Sequence, residues 1–450
     1  MTVASEVVVY FDLSANGGDY FTLNDITKGV LDGATYKLGG LVATDISGYV
    51  AGFSIYRGRS AELDEFPSGG CSVRLHAYSG DLIPEGFVSG GTYSTNVLPG
   101  KRVQIKTAGV VVFDGIIQDW LFAYDATTNS ATAEFTADDS LGALGRRSLE
   151  TFTTTIGQSS GTRIAAVLAR PEIDWGVNVS LDNGIATLQG DTVSEGTNAL
   201  TYCQTVARTE VGRFYCDRTG ILAFRERYNT IGLTSTSTGT QLLDETGAPI
   251  LDEAGAELLD ESVPFTLNPD VSAAVTLTDD DTAFRFSSAS LAYGSTSLYT
   301  DVSITREGGT VQAASNSAAR DAYGIRRLDL SGLLMQTDEE AYAMAEWLTG
   351  VYSTPSTRFQ RLVINLGSLT SAQQSTVAGL DIASVVTVKW TPRGAAAQLD
   401  MNMVIEGMEH NNDVGSPYLL ALSLSPVSGA EVFRLDDDVL GILDSGVLAF

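Results

Sequence analysis

The sequence predicts a mainly β chain with α+β parts, and three observations carry that prediction. Short Val, Ile, Thr, Tyr and Phe runs alternate with Gly, Asp, Asn and Ser turns along most of the 450 residues. Helical periodicity, with apolar residues three and four apart, is confined to a handful of stretches between them. Hydrophobic residues make up 44% of the chain and charged ones 18%, a balance that supports packed cores and excludes a disordered chain.

Residues 1–150 read as a β-meander in a barrel or sandwich. Cys71, Val73, Leu75 and Ala77 alternate with Ser72, Arg74, His76 and Tyr78, so one face is apolar. Leu98-Pro99-Gly100 turns into a strand over Val103–Lys106. Thr107-Ala108-Gly109 turns into an apolar run from Val110 through Ile117 to Trp120, and a further strand spans Ala131–Thr136. Residues 151–230 read as a small α+β domain. A helix over Thr162–Arg170 is stopped by Pro171. A second helix, over Thr197–Thr209, carries a stripe of Leu200, Cys203, Val206 and Ala207. A hairpin follows, with strands at 212–216 and 221–224 joined by Asp217-Arg218-Thr219-Gly220.

Residues 231–284 read as an acidic excursion. No Lys or Arg occurs from 228 to 284, and an eight-residue repeat runs from Leu242-Leu243-Asp244-Glu245 through Ile250-Leu251-Asp252-Glu253 to Leu258-Leu259-Asp260-Glu261. Residues 285–428 read as a second β unit with helices. Val302–Arg306 opens it. Thr337-Asp338-Glu339-Glu340 is a capping box for a helix burying Ala341, Met344, Ala345, Leu348 and Val351. Thr370-Ser371-Ala372-Gln373 caps a shorter helix, and strands are expected at 361–366, 385–390, 401–406 and 419–424. Residues 429–450 form a C-terminal hairpin or tail that echoes the start. Phe21, Leu23, Val30 and Leu31 align with Phe433, Leu435, Ile442 and Leu443. These eight are the candidate assembly residues, as strands that dock on an open sheet edge; two hairpins with shared turn chemistry is the plainer reading.

Charge and motifs exclude several functions. With 27 Lys+Arg against 55 Asp+Glu the net charge is −28, the wrong sign for a protein that holds nucleic acid. Cys71, Cys203 and Cys216 cannot pair fully and form no C-x-x-C, so neither a disulfide framework nor a Cys-rich zinc site is expected. The start has no signal-peptide pattern, and no run of 18 apolar residues occurs, so synthesis in a cytoplasm without a membrane span is expected. The two histidines, His76 and His410, are far apart in sequence. His76 reads as a solvated strand residue and His410 as part of a turn near Asn411-Asn412-Asp413. Alternation puts Cys71 and His76 on opposite faces, which argues against a thiol catalyst. H-E-x-x-H, Walker A and dinucleotide-binding glycine motifs are all missing, and Asp279-Asp280-Asp281 lacks Ca²⁺-loop spacing. No enzyme, no cofactor and no metal are expected.

Ser54-Ile55-Tyr56-Arg57-Gly58-Arg59, with Glu62-Leu63-Asp64 and Ser72-Val73-Arg74-Leu75, resembles the opening of a family of phage minor tail proteins. The segment from Gly212 to Phe224 after an amphipathic helix is similar to the helix-plus-hairpin domain of tail hub proteins. The segment from Val302 to Ala313 resembles the entry to their second barrel, continued by Tyr323-Gly324-Ile325-Arg326 and by Leu380 to Val388. Ala383-Ser384 stands where many hubs have Gly-Asp. The resemblance covers about residues 20–450, and an Arg:Lys ratio of 22 to 5 suits a siphovirus-like phage of a GC-rich host.

The resemblance implies two tail-tube-like β-barrels, at 1–150 and 285–428, with smaller α+β domains, as in the baseplate hub of contractile tails. It implies a structural virion protein of the tail tip: a trimeric ring that ends the tail tube, anchors tip fibres or a spike, and gates or conducts DNA ejection. The implied partners are further copies of the chain, the distal tail protein, the tape measure protein and tip fibre or spike proteins, with DNA passing through unheld. A chain ending at Phe450, soon after the second barrel, leaves no room for a hydrolase extension. The alternatives are a hexameric distal tail protein, with one tube-like domain, and a receptor-binding or cell-wall-degrading tip protein, with a catalytic or carbohydrate site. An acidic bore would repel DNA and let it slide.

Overall fold

Alternation in the first 150 residues builds strands with one buried face. In a computed structural model of the chain, which describes residues 3–12, 41–76, 80–84, 93–127, 130–176, 178–227, 233–235, 265–267, 275–293, 297–355, 357–394 and 397–427, seven strands form a first group. They are β1 (Ser5–Asp12), β2 (Leu41–Asp45), β3 (Val50–Gly58), β4 (Gly70–His76), β5 (Arg102–Thr107), β6 (Val110–Asp125) and β7 (Ser130–Asp138). Their order is β2-β1-β5-β6-β7-β4-β3, antiparallel at every step. In β4, Cys71, Val73 and Leu75 are buried, as the alternation requires, and Arg74 is exposed. The helix α1 (Ser140–Leu144) follows β7 and is capped by the Asp139 carboxylate, which accepts from the Leu141 and Gly142 amides.

The next stretch mixes helices and short strands. Its two helices are α2 (Ser160–Leu168) and α3 (Ala199–Thr209). They are N-capped by Ser159 and Asn198, whose side chains accept the Thr162 and Thr201 amides. Three two-residue ladders tie its loops: β8 (Ser148–Leu149) with β14 (Thr197–Asn198), β9 (Phe152–Thr153) with β13 (Thr192–Val193), and β10 (Gln158–Ser159) with β12 (Thr187–Leu188). The hairpin β15 (Arg213–Cys216) and β16 (Leu222–Arg225) gains a parallel third strand, β11 (Val179–Leu181). The core joins Leu144, Ile164, Val206, Phe214 and Phe224. On α3 the buried stripe is Ala199, Tyr202, Cys203, Val206 and Ala207; Leu200 is only half-buried.

Strands β17 (Leu233–Ser235) and β18 (Phe265–Leu267) pair antiparallel, apart from the other sheets. The repeat at 242–261 and all eight candidate assembly residues, Phe21, Leu23, Val30, Leu31, Phe433, Leu435, Ile442 and Leu443, lie outside the described residues.

The second strand group contains β19 (Thr276–Thr278), β20 (Phe284–Arg285), β21 (Ser288–Tyr293), β25 (Thr357–Asn365), β26 (Val385–Trp390), β27 (Leu399–Asp413) and β28 (Leu419–Pro426). Because β19 pairs with β26, this group begins before residue 285, inside the stretch read as excursion. β27 pairs along one edge first with β26 and then with β3, and along its other edge with β28. Seven β3–β27 residue pairs, Gly58↔Gly407 to Gly52↔Asp413, join the two groups into one 14-stranded sheet. One hydrophobic core spans both groups, from Phe11, Phe113 and Phe135 to Phe359, Leu362 and Leu422.

Val302–Arg306 does not open the large sheet. It belongs to β22 (Asp301–Arg306), which pairs with β23 (Gln312–Ser315) and β24 (Arg327–Leu333) in a sheet of its own. Here α4 (Ser317–Tyr323) links β23 to β24, and α5 (Asp338–Tyr352) packs on the sheet through Ala341, Met344, Ala345 and Leu348 against Val302 and Ile304. Trp347 and Tyr352 are also buried on α5, whereas Val351 is half-buried. Both predicted capping boxes form, on α5 by Thr337 and Glu340 and on α6 (Ser371–Ala378) by Thr370 and Gln373.

Candidate functional site

Three of the segments that carry the tail-protein resemblance meet at one place. Arg57 and Arg59 come from the end of β3, Arg213 and Arg218 from the β15–β16 hairpin, and Asp381 from the turn before β26. Glu406 of β27 completes the group. It stands where the β27–β28 register shifts, between Ile405 and Gly407. Gly58 adopts φ +90, and a Cβ there would lie 2.3 Å from the Glu406 carbonyl oxygen. Only glycine lets β3 and β27 approach so closely while reversing the chain toward Arg59.

The ion pairs are buried. The Glu406 carboxylate accepts from Arg59 Nε at 2.7 Å, Arg213 Nη2 at 3.2 Å and Ser425 Oγ at 2.6 Å. Burial by itself would raise the Glu406 pKa, but the Arg59 and Arg213 charges and hydrogen bonds outweigh it and hold the carboxyl at about 2. Arg57, 1% exposed, donates to Asp381 Oδ1 at 2.7 Å, while Asp381 Oδ2 accepts the Arg218 amide at 2.8 Å. Arg59 Nη1 also donates to the Asp64 carbonyl at 2.6 Å, and its guanidinium lies 4.3 Å from the Phe66 ring centroid. Beside them Arg358 of β25 donates to buried Glu62 at 2.6 Å. The first strand group, the second strand group and the α+β domain are thus tied through one charge network. Such a network suits positioning: its acids and bases are each other's partners.

The residues weighed for chemistry are scattered. His410 is not in a turn; it is fully buried in β27, because the polar run Asn411-Asn412-Asp413 continues the strand between β3 and β28. Its Nδ1 lies 3.0 Å from the Tyr418 hydroxyl, itself 2.8 Å from Thr107 Oγ1 on β5. Burial, then the Arg57 charge, lowers the His410 pKa to about 3, so the ring is neutral. His76 is half-buried at the end of β4 and remote from it. All three cysteines are free and buried; burial pushes the Cys203 thiol up to about 12 and raises Cys71 and Cys216 as well. Asp279, Asp280 and Asp281 sit in the β19–β20 turn. There the Asp280 carboxylate accepts the Thr282 amide, Asp279 accepts the Thr391 amide and Asp281 pairs with Arg285. Among the described residues no three His, Cys, Asp or Glu are grouped to hold a metal ion.

The sequence carries a signal for one member of the junction: Arg57 follows Phe53 and Ile55 on the buried face of β3, and a buried charge requires a partner. Glu406 carries none, since it alternates with exposed Asn402 and is turned inward at the register shift of β27.

No protein-family model and no curated protein matches the chain. Among solved structures it is similar to the 43 kDa tail protein of prophage MuSo2 from Shewanella oneidensis. The two share 15% identity at a TM-score of 0.53, over 94% of this chain and 98% of that one. It is similar to the tail protein from Neisseria meningitidis MC58 at 12% identity and a TM-score of 0.53, over 94% and 96% of the two chains. The chain therefore has the fold of these tail proteins along nearly its whole length.

Proposed function

We propose that this chain is a structural protein of a phage tail tip, a hub whose copies form a trimeric ring at the end of the tail tube. The observation that carries this reading is the pairing of two strand groups within one chain, in a fold shared end to end with two tail proteins. A distal tail ring built from one tube-like domain and one peripheral domain accounts for a single group. We read the groups as two tube-like barrels. In support, the second group's path β19-β26-β27-β28-β25-β21 returns toward β19 through β20, two residues before β21.

In this reading the protein belongs to the virion and acts by shape, not catalysis. The ionic junction fixes the two groups against the α+β domain, so that neighbouring rings, tip fibres and the tape measure protein meet a rigid body. DNA passes without being held. Counting copies per particle by quantitative mass spectrometry tests the proposal. Three copies are expected; six would replace the hub with a distal tail ring.

A further inference from the structure

Asn183 and Gly184 lie in the loop after β11, against the start of α2. The fold requires glycine at 184. Its φ is +80, and a Cβ there would meet the Glu210 carboxylate at 2.6 Å and Ser160 Cβ at 3.0 Å. The fold also uses a side-chain oxygen at 183. Ser159, the N-cap of α2, donates its hydroxyl to Asn183 Oδ1 at 2.9 Å, and Thr162 Oγ1 stands 3.5 Å from the same oxygen. Asparagine thus stands directly before glycine, the residue whose amide is least hindered in approaching a neighbouring side-chain carbonyl.

Several features prepare these two residues to react with each other. Asn183 curls over the peptide that follows it, with Nδ2 donating to the Gly184 carbonyl at 3.4 Å. The Gly184 amide donates to no main-chain carbonyl among the described residues. The next two amides, Ile185 and Ala186, are by contrast both held by the Glu210 carboxylate. The Asn183 side-chain oxygen is where negative charge develops on attack at Cγ. It faces the Ser159 and Thr162 hydroxyls at the N-terminal end of a nine-residue helix, so donors and dipole both favour that charge. Asn183 is exposed, so water reaches its side chain.

We propose that Asn183-Gly184 is a self-modifying site, which the chain converts without an enzyme to aspartate and isoaspartate. The Gly184 nitrogen attacks Asn183 Cγ. An N–Cγ bond forms, the Cγ–Nδ2 bond breaks, the Gly184 amide proton passes to solvent, and Nδ2 leaves as ammonia. Water then opens the cyclic imide. Opening at Cγ gives aspartate, whose carboxylate keeps the Ser159 and Thr162 contacts and suits the helix dipole. Opening at the main-chain carbonyl gives isoaspartate, which adds a carbon to the backbone path. The loop has no room for it. The Asn183 carbonyl accepts the Gly161 amide at 2.9 Å, and a Cβ on Gly161 would collide with the Asp182 carbonyl oxygen. Isoaspartate therefore pushes the loop off α2 and strains the β11–β16 pairing that the loop continues. The result is a slow, one-way loosening of this part of the fold, independent of any assembly.

The test follows the folded wild-type chain in mildly alkaline buffer by peptide mass mapping, with isoaspartate read by protein isoaspartyl methyltransferase. Asn183 is expected to lose its amide faster in the folded chain than in a synthetic peptide of residues 179–188. Ser159→Ala should slow the loss at least about tenfold, because one donor to the developing oxyanion is gone. Ser159→Thr keeps both the hydroxyl and the N-cap and should restore the rate. Asn183→Gln, whose ring would be larger, should stay unmodified. Asn183→Asp should melt like fresh wild type, and the aged, isoaspartate-containing chain should melt lower. If Asn183 stays intact in the folded chain while the peptide reacts, the fold protects the site and the proposal is wrong. It is equally wrong if Ser159→Ala, shown by circular dichroism to be folded, reacts at the wild-type rate.

Discussion

Glu406 neutralises two arginines from different parts of the fold, Arg59 beside β3 and Arg213 on β15. Removing its charge leaves both guanidinium groups buried against a neutral amide. Glu406→Gln should therefore cost about 3–5 kcal/mol, the usual penalty for breaking a buried pair from one side; urea melts read the loss directly. His410 gives a second residue-scale test. In the unfolded chain its pKa returns to the usual 6.5, whereas the folded ring stays neutral down to about 3. Between those values the unfolded state takes up a proton that the native state refuses, so stability falls as pH falls. Glu406 acts in the same direction from 4.5 down to about 2. Asp139, raised to about 6 chiefly by burial, opposes them between 6 and 3.8, because there the native state holds the extra proton. The His410 contribution is isolated by difference. His410→Gln should gain about 1.4 kcal/mol per pH unit relative to wild type between pH 6 and 4. A parallel pair of stability curves would rule out a neutral buried His410. Ala383 has φ +67, a left-handed conformation that costs a non-glycine residue about 1–2 kcal/mol. Ala383→Gly should raise stability by up to about 1 kcal/mol once the added freedom of the unfolded glycine is subtracted, read as an increase in Tm.

At the scale of elements, the seam between β3 and β27 depends on Gly58. A methyl group there meets backbone of β27 at 2.3 and 2.6 Å, which no rotamer change relieves. Gly58→Ala should destabilise by at least about 2 kcal/mol, from strain at φ +90 and from displacement of the seam. Hydrogen exchange should show lost protection at Gly407–Asp413 on β27 before it shows loss in β5 or β16. Elements with local signals were legible in the sequence. The Thr337/Glu340 and Thr370/Gln373 boxes, the Asp217–Gly220 turn and the alternation of β4 each depend on residues a few positions apart. What a strand joins is not local. Val302–Arg306 has a clear strand pattern, yet nothing in it distinguishes the large sheet from the small one with β23 and β24. The end of β27 reads as a turn in the sequence because Asn411-Asn412-Asp413 is polar. Its backbone is satisfied by β3 and β28, strands more than 350 residues upstream and just downstream. The ionic junction was illegible as a site for the same reason: its six charges come from four separated segments.

At the scale of the whole molecule, charge and assembly oppose each other. Each copy carries −28, so copies brought edge to edge repel. Arg74 pairs with Asp413 and Arg361 with Glu409 at 2.8 Å, so these arginines are neutralised within the chain and do little to offset the excess between copies. Repulsion is screened: its range falls from about 30 Å at 0.01 M salt to about 8 Å at 0.15 M. Raising the salt over that interval should therefore strengthen assembly, and sedimentation velocity should show the ring fraction growing at fixed protein concentration. If the copies instead separate as salt rises, charge pairs hold them together.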